Sequence, residues 1–218
     1  LDTMTKLGLN ESLKYSGFSS IDRELCIPKQ NQCIHVKGVS KFKQSQLVIN
    51  TWLLHPEWPM LHFVTQESIE LPGETRIATN VMLIQRKLSE TELSEVMNVC
   101  TLHVCPSLCE GYGHYINEAR SCGAIIMTTD APPMNELVKS NTGILIPYEK
   151  VLRDRNEIGV GYVVNREGIE YGMDQYLQMS REEIRQKAKL VRESYEKETA
   201  EFEENFQMSS FCNSSAAT

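Results

Sequence analysis

Positive charge is scarce in this chain. Its 218 residues hold 22 Lys and Arg against 29 Asp and Glu, a net charge of -7. No dense basic cluster offsets the balance, which argues against a nucleic-acid surface. Long apolar runs are missing too: all fall well short of the ~20 residues a membrane helix needs, so no span is expected. The N-terminus carries neither the basic segment nor the extended apolar core of a secretory leader. It opens on Leu1 rather than Met, and the chain is read as lacking an N-terminal part. No Gly-x-Gly-x-x-Gly follows the first strand candidate, where a dinucleotide fingerprint belongs. No Gly-x-Ser-x-Gly elbow marks a hydrolase. There is no internal repeat.

What is present is an ordinary soluble composition, 41% hydrophobic and 23% charged, enough to bury a core. At ~100–200 residues per domain, one core is expected. The seven cysteines are Cys26, Cys33, Cys100, Cys105, Cys109, Cys122 and Cys212. An odd number, several within apolar segments, reads as buried free thiols of an intracellular, cytoplasmic protein. Cys105 and Cys109 have no second pair or histidine to complete a zinc set, and no metal site is assigned.

Residues 1–31 are polar and without clear periodicity, and read as a linker or the edge of a missing N-terminal domain. From there strands and helices alternate. Strands are expected at Cys33–Val36, Met60–Val64, Val81–Ile84, Leu102–Cys105, Ala124–Met127 and Gly143–Ile146. Helices are expected at Gln46–Leu54, Glu90–Val99 and His114–Ser121, the last closed by Gly123. The alternation implies βα units, a parallel sheet and a doubly wound, Rossmann-like α/β domain over 32–206. Helices at Glu167–Gln178 and Arg181–Phe206 form a helical C-terminal tail, with a capping box at Ser180 and Glu183. Residues 207–218, small and polar, are expected to be disordered.

The informative stretch runs from Cys105 to Val138. Ligands of open parallel sheets bind beyond the carboxyl ends of the strands, so residues 107–114 belong on that rim. Gly111 and Gly113 are expected to take positive φ and let the backbone approach a ligand. The next helix then turns its unpaired N–H groups and its dipole toward a phosphate. Glu118, about one turn in, can accept two hydrogen bonds from a ribose diol, and Glu110 can accept bonds from sugar hydroxyls. Among 29 acidic residues such a pair alone means nothing. Its flanks give it weight: Pro106-Ser107, Glu110-Gly111-Tyr112-Gly113, Glu118-Ala119 and Gly123, between two strands.

With these flanks the stretch resembles the C-terminal, donor-binding domain of retaining GT-B glycosyltransferases of the family 4, group 1 type, whose signature is two glutamates with seven residues between. Thr128-Thr129-Asp130, Asn135-Glu136-Leu137-Val138 and the strand-loop-helix from His35 to Pro56 also fit. The resemblance extends from Ile34 to Phe206. It implies a nucleotide diphosphate-sugar donor, an acceptor of unknown identity held mainly by an N-terminal domain, transfer with retention, and no metal. It gives Glu118 to the ribose. Glu110 and the following amides, with Gly111, Tyr112 and Gly113, fall to sugar and phosphate, the backbone at Leu83 and Ile84 to the base, and the 128–136 loop to the cleft wall.

The sequence departs from that pattern in the loop after the first strand. Members carry Gly-Arg there and a lysine about five residues on. Here Val39 holds the arginine position and Lys43 stands one place off, with Lys41 as a second candidate, and both lysines also read as solvated loop charges. His114 and Tyr115 replace a common Leu-Pro, and His114 is a candidate phosphate or sugar contact. Arg86 and Lys87 are further phosphate candidates. Lys43 and Glu110 are taken as catalytic. The alternative function is a non-catalytic nucleotide-sugar-binding or scaffolding domain.

Overall fold

A computed structural model describes residues 17, 19–71, 79–153 and 160–214. Residues 1–16 and 18 of the expected linker, and 215–218 of the expected tail, lie outside the described residues. In chain order come β1 (Gln30–Gly38), a 3-10 turn (Lys41–Lys43), α1 (Ser45–Leu54), β2 (Leu61–Thr65) and β3 (Val81–Gln85). Then follow α2 (Glu90–Val99), β4 (Cys100–Cys105), α3 (His114–Ser121), β5 (Ile125–Thr129), α4 (Met134–Leu137) and β6 (Gly143–Ile146). The chain continues through β7 (Lys150–Arg153), β8 (Val160–Val163), α5 (Arg166–Gln178) and α6 (Arg181–Ser214).

The first six strands form one sheet in the order β3-β2-β1-β4-β5-β6, with every pairing parallel. The expected α/β architecture is the one observed. Its strands need no polar face, because helices cover both sides: β2, β4 and β5 are buried along their whole length. Alternate residues part to opposite faces. Cys33, Phe63, Ile125 and Met127 pack with Trp52 of α1 and Met173 of α5. Ile34 and Val64 pack with Met97 of α2, while Ile126 meets Ile116 of α3 and Val191 of α6.

Connections run outward in both directions from β1 and β4, so the order reverses between these neighbours. Beyond their carboxyl ends lies the crevice where such sheets take ligands. The expected Ser180 capping box is present: Glu183 N donates to Ser180 Oγ at 3.2 Å and Ser180 N to Glu183 Oε2 at 2.8 Å. The antiparallel β7–β8 hairpin, the single turn of α4 and the 3-10 turn were not legible in the sequence, being too short to show a period. α6 runs past the expected end at Phe206. No described helix is long and apolar enough to cross a membrane. Cys33, Cys100, Cys105 and Cys122 are buried and in no disulfide, as expected, whereas Cys26 is exposed.

Candidate functional site

Two loops meet at the switch point. The loop after β1 turns at Gly38, passes through the 3-10 turn and enters α1. The loop after β4 carries residues 106–113 into α3. They are joined by backbone, with Leu108 N donating to Phe42 O at 2.6 Å. Gln44 bridges them: its amide nitrogen donates to Pro106 O at 2.8 Å and its Oε1 accepts from Val164 N at 3.0 Å. The β7–β8 hairpin joins through Tyr162 N to Leu108 O, 2.6 Å. Beneath them His35 is fully buried, bonded through Nδ1 to Val104 O and through Nε2 to Ser45 Oγ, both at 2.7 Å. A carbonyl can only accept, so Nδ1 carries the proton and Nε2 accepts from the serine. Burial lowers the His35 pKa to about 3, keeping the ring neutral in this geometry.

Gly113 starts α3 at φ +75, and a Cβ there would lie 2.5 Å from Leu137 Cδ1. Only glycine combines that backbone with that space. Gly111 corrects the expectation that both glycines take positive φ: its φ is not positive and a Cβ would meet nothing within 4 Å. No side chain caps the start of α3; Ile116 N is spent on Gly113 O at 3.0 Å, so the amides of His114 and Tyr115 and the positive end of the helix dipole remain available to an anion.

Glu110 is wired locally. Its Oε1 accepts from Ser107 Oγ at 2.6 Å, and Ser107 Oγ pairs with Tyr115 Oη at 2.5 Å. With the serine proton given to the carboxylate, the tyrosine must donate to the serine. Burial pushes the Tyr115 phenol well up, which keeps it a donor. Over the Tyr115 ring lies Lys43 Nζ, 3.9 Å from the centroid, donating to Val36 O at 3.0 Å. Burial lowers the Lys43 pKa, opposed by the neighbouring Cys105, Glu110 and Glu118. The ammonium has three donors, and the carbonyl uses one.

Glu118 is held from far away in sequence. Its Oε1 accepts from Arg23 Nη2 at 3.0 Å. The arginine is 5% exposed and the carboxylate 19%. Arg23 Nη1 donates to Ser94 Oγ at 3.1 Å, and Nη2 also reaches Glu90 Oε2 at 2.9 Å. Glu118 and Tyr115 line a small cavity of about 20 Å³ with Val36 and Cys105 from β1 and β4.

The structure thus gathers Lys43, Glu110, Glu118 and the start of α3 at one crevice. His114 is exposed at that start and its ring lies 4.5 Å from Tyr112, whose Oη accepts from Ser19 N at 2.6 Å. Lys41 stands exposed on the rim, and Val39, in the arginine position, is 77% exposed. Ile84, half-buried, packs its side chain against the core cluster of Ile34 and Met97. Arg86 is taken by Glu92 at 2.7 Å. Thr129 Oγ1 donates to Ser107 O at 2.7 Å, fastening the 128–136 loop to the rim. Among the described residues no three His, Cys, Asp or Glu side chains group as metal ligands. Sequence reasoning missed Arg23, Tyr115 and Gln44 as parts of the site. Ser107 was visible within its Pro-Ser pair, but nothing in the polar N-terminal stretch singled out Arg23.

The profile of the family described as "Glycosyl transferases group 1" matches residues 66–152, which include both glutamates. The α-maltose-1-phosphate synthase of Mycobacterium tuberculosis is 32% identical over 89 residues, 37% of this chain and 23% of that protein. Among solved structures, Anabaena HepE in complex with UDP-glucose aligns with a TM-score of 0.61 at 15% identity, covering 98% of this chain and 52% of that one. The C-terminal domain of a glycosyl transferase group 1 family protein, LpcC from Francisella tularensis, aligns with a TM-score of 0.52 at 16% identity, covering 78% of this chain and 85% of that domain. The fold is therefore the Rossmann-like α/β fold of GT-B glycosyltransferase structures. The chain spans about a quarter of the matched synthase and about half of HepE.

Proposed function

We propose that this chain is the donor-binding half of a retaining GT-B glycosyltransferase of the family 4, group 1 type. It moves a sugar from a nucleoside diphosphate-sugar to an acceptor held by a second, N-terminal domain. The observation that carries the reading is the meeting at Tyr115, beside the uncapped start of α3, of Lys43 over its ring, Glu110 through Ser107 and Glu118 across a shared cavity. The family profile across that segment supports it, as does the half-length likeness to a protein solved with UDP-glucose.

In this reading Glu118 accepts from the ribose diol through the carboxylate oxygen that Arg23 does not hold. The main chain at Leu83 and Ile84 meets the base. The diphosphate lies between the α3 amides and the Lys43 ammonium, with Gly111, Tyr112, Gly113 and His114 around it and Lys41 on the outer rim. Glu110, fixed by Ser107, faces the sugar hydroxyls. As the bond from anomeric carbon to diphosphate breaks, negative charge grows on the departing group. Lys43 and the helix end are already placed to meet it, which is electrostatic stabilisation aimed at the leaving group. These groups supply positive charge without a bound metal, and none is assigned a role.

A second reading, donor binding without transfer, is favoured by Val39, whose exposed side chain offers no charge where an arginine would. One experiment addresses both. The chain is titrated with UDP, GDP, ADP and their glucose conjugates, and sugar release from the tightest donor is then followed with and without Glu118→Ala. Saturable binding that Glu118→Ala weakens, with slow sugar release, is expected. Binding without any release supports the second reading. A well-folded chain that binds no nucleotide in the panel contradicts both.

A further inference from the structure

Arg23 lies 95 residues from Glu118 in sequence, yet it forms part of the same crevice wall. Its main chain is clasped between two helices. Arg23 N donates to Ser121 Oγ of α3 at 3.0 Å, and Arg23 O accepts from Asn98 Nδ2 of α2 at 2.6 Å. Leu25 N returns a bond to Asn98 Oδ1 at 3.2 Å. On either side, Ser20 O accepts from Tyr195 Oη of α6 at 2.8 Å and Asp22 pairs with Arg192 at 2.7 Å. The guanidinium is thereby set before it meets Glu118. Its two terminal nitrogens reach Ser94, Glu90 and Glu118, and at 5% exposure it has little room to swing.

A partly buried ion pair contributes little net stability, because removing both charges from water offsets their attraction. What this pair does achieve is orientation. A free glutamate has several rotamers, and a ligand that needs one of them pays the entropy of selecting it. Arg23 bonds to one carboxylate oxygen only, so the second keeps its lone pairs for a pair of vicinal hydroxyls.

We propose that Arg23 is a positioning residue for nucleotide recognition, holding Glu118 by Oε1 so that Oε2 reads the ribose diol and favours ribonucleotides over 2′-deoxyribonucleotides. This inference rests on the ribose role of Glu118 argued above. It gives the segment before the sheet a part in substrate selection that the helix carrying Glu118 cannot supply alone.

The test compares UDP with 2′-deoxy-UDP by calorimetry on the chain and three variants: Glu118→Ala, Arg23→Met and Arg23→Lys. Far-UV circular dichroism checks folding, and pyrophosphate serves as a ligand that has no ribose. If Arg23→Met does not fold, Ser94→Ala replaces it, since that change frees one guanidinium nitrogen and leaves the ion pair in place. The wild type is expected to prefer UDP roughly tenfold, the scale of one hydrogen bond to a charged group. Glu118→Ala and Arg23→Met should both bring the preference near parity while each still binds pyrophosphate saturably, and Arg23→Lys or Ser94→Ala should fall between. A wild type without preference, or a Glu118→Ala variant that keeps it, overturns the ribose role of Glu118 and the Arg23 proposal with it. Loss of preference in Glu118→Ala with full preference in Arg23→Met overturns the Arg23 proposal alone. Tighter UDP binding in Arg23→Met also overturns it, because the arginine would then be competing with the nucleotide.

Discussion

The two carboxylates of the site, Glu110 and Glu118, have seven residues between them on one loop and helix, yet they are held in opposite ways. Glu110 takes its partner from three residues back, and that partner is fixed by Tyr115 in the first turn of α3. Glu118 takes its partner from the far end of the chain. The first arrangement closes once the loop and one turn of helix have formed. The second needs residues 19–25 docked across α2, α3 and α6. A site whose ends depend on different parts of the fold can be taken apart one end at a time.

Gly113 stands between the two ends, and changing it should disturb both. Gly113→Ala forces a side chain into positive φ and against Leu137, and should cost more than about 2 kcal/mol of stability in urea melts. Gly111→Ala, with open space and ordinary φ, should stay within about 0.5 kcal/mol. Equal losses would show that the turn does not depend on Gly113.

Lys43 lies where both ends meet the proposed diphosphate. Lys43→Met should weaken UDP by roughly tenfold while hardly changing uridine, because it removes one charge-assisted contact to phosphate. A parallel loss for uridine would place the lysine away from the phosphates. A smaller change should touch one end only. Ser107→Ala removes the donor to Glu110, and should slow sugar release while leaving UDP affinity within about threefold, less than 1 kcal/mol.

The scaffold beneath both ends should show itself only in acid. Burial holds His35, and also His103 of β4, whose Nε2 donates to Met97 O at 2.9 Å, at a pKa of about 3 in the folded chain, against about 6.5 when unfolded. Between those values the unfolded chain binds more protons, so stability is whole above about pH 6.5 and falls as pH drops toward 3. Each histidine adds about 1.4 kcal/mol per pH unit to the slope. Urea melts from pH 6 to 4 should show it, and His35→Gln should flatten it by about that amount. An unchanged slope would mean that His35 is not held neutral by the fold.

The six-stranded sheet was legible because each strand is a short apolar run bounded by turn residues, and alternation with helices left few topologies. The loop and helix from Ser107 to Glu118 was legible because its glycines, serine and glutamates act on near neighbours. Arg23 was not. Its importance comes from long-range docking through Asn98, Ser121 and Tyr195, and a polar stretch carries no period that would announce such contacts. The φ of Gly111 was misjudged because a glycine permits a positive φ without requiring it.

The division between the two carboxylates is tested most directly by measuring the affinities of UDP and UDP-glucose for the wild type, Glu118→Ala and Glu110→Ala. Glu118→Ala is expected to weaken both ligands alike, by roughly tenfold. Glu110→Ala should leave UDP within about threefold and remove only what the glucose adds. If Glu118→Ala binds UDP as the wild type does, or if Glu110→Ala weakens UDP as much as UDP-glucose, the assignment of ribose to one end and sugar to the other is wrong.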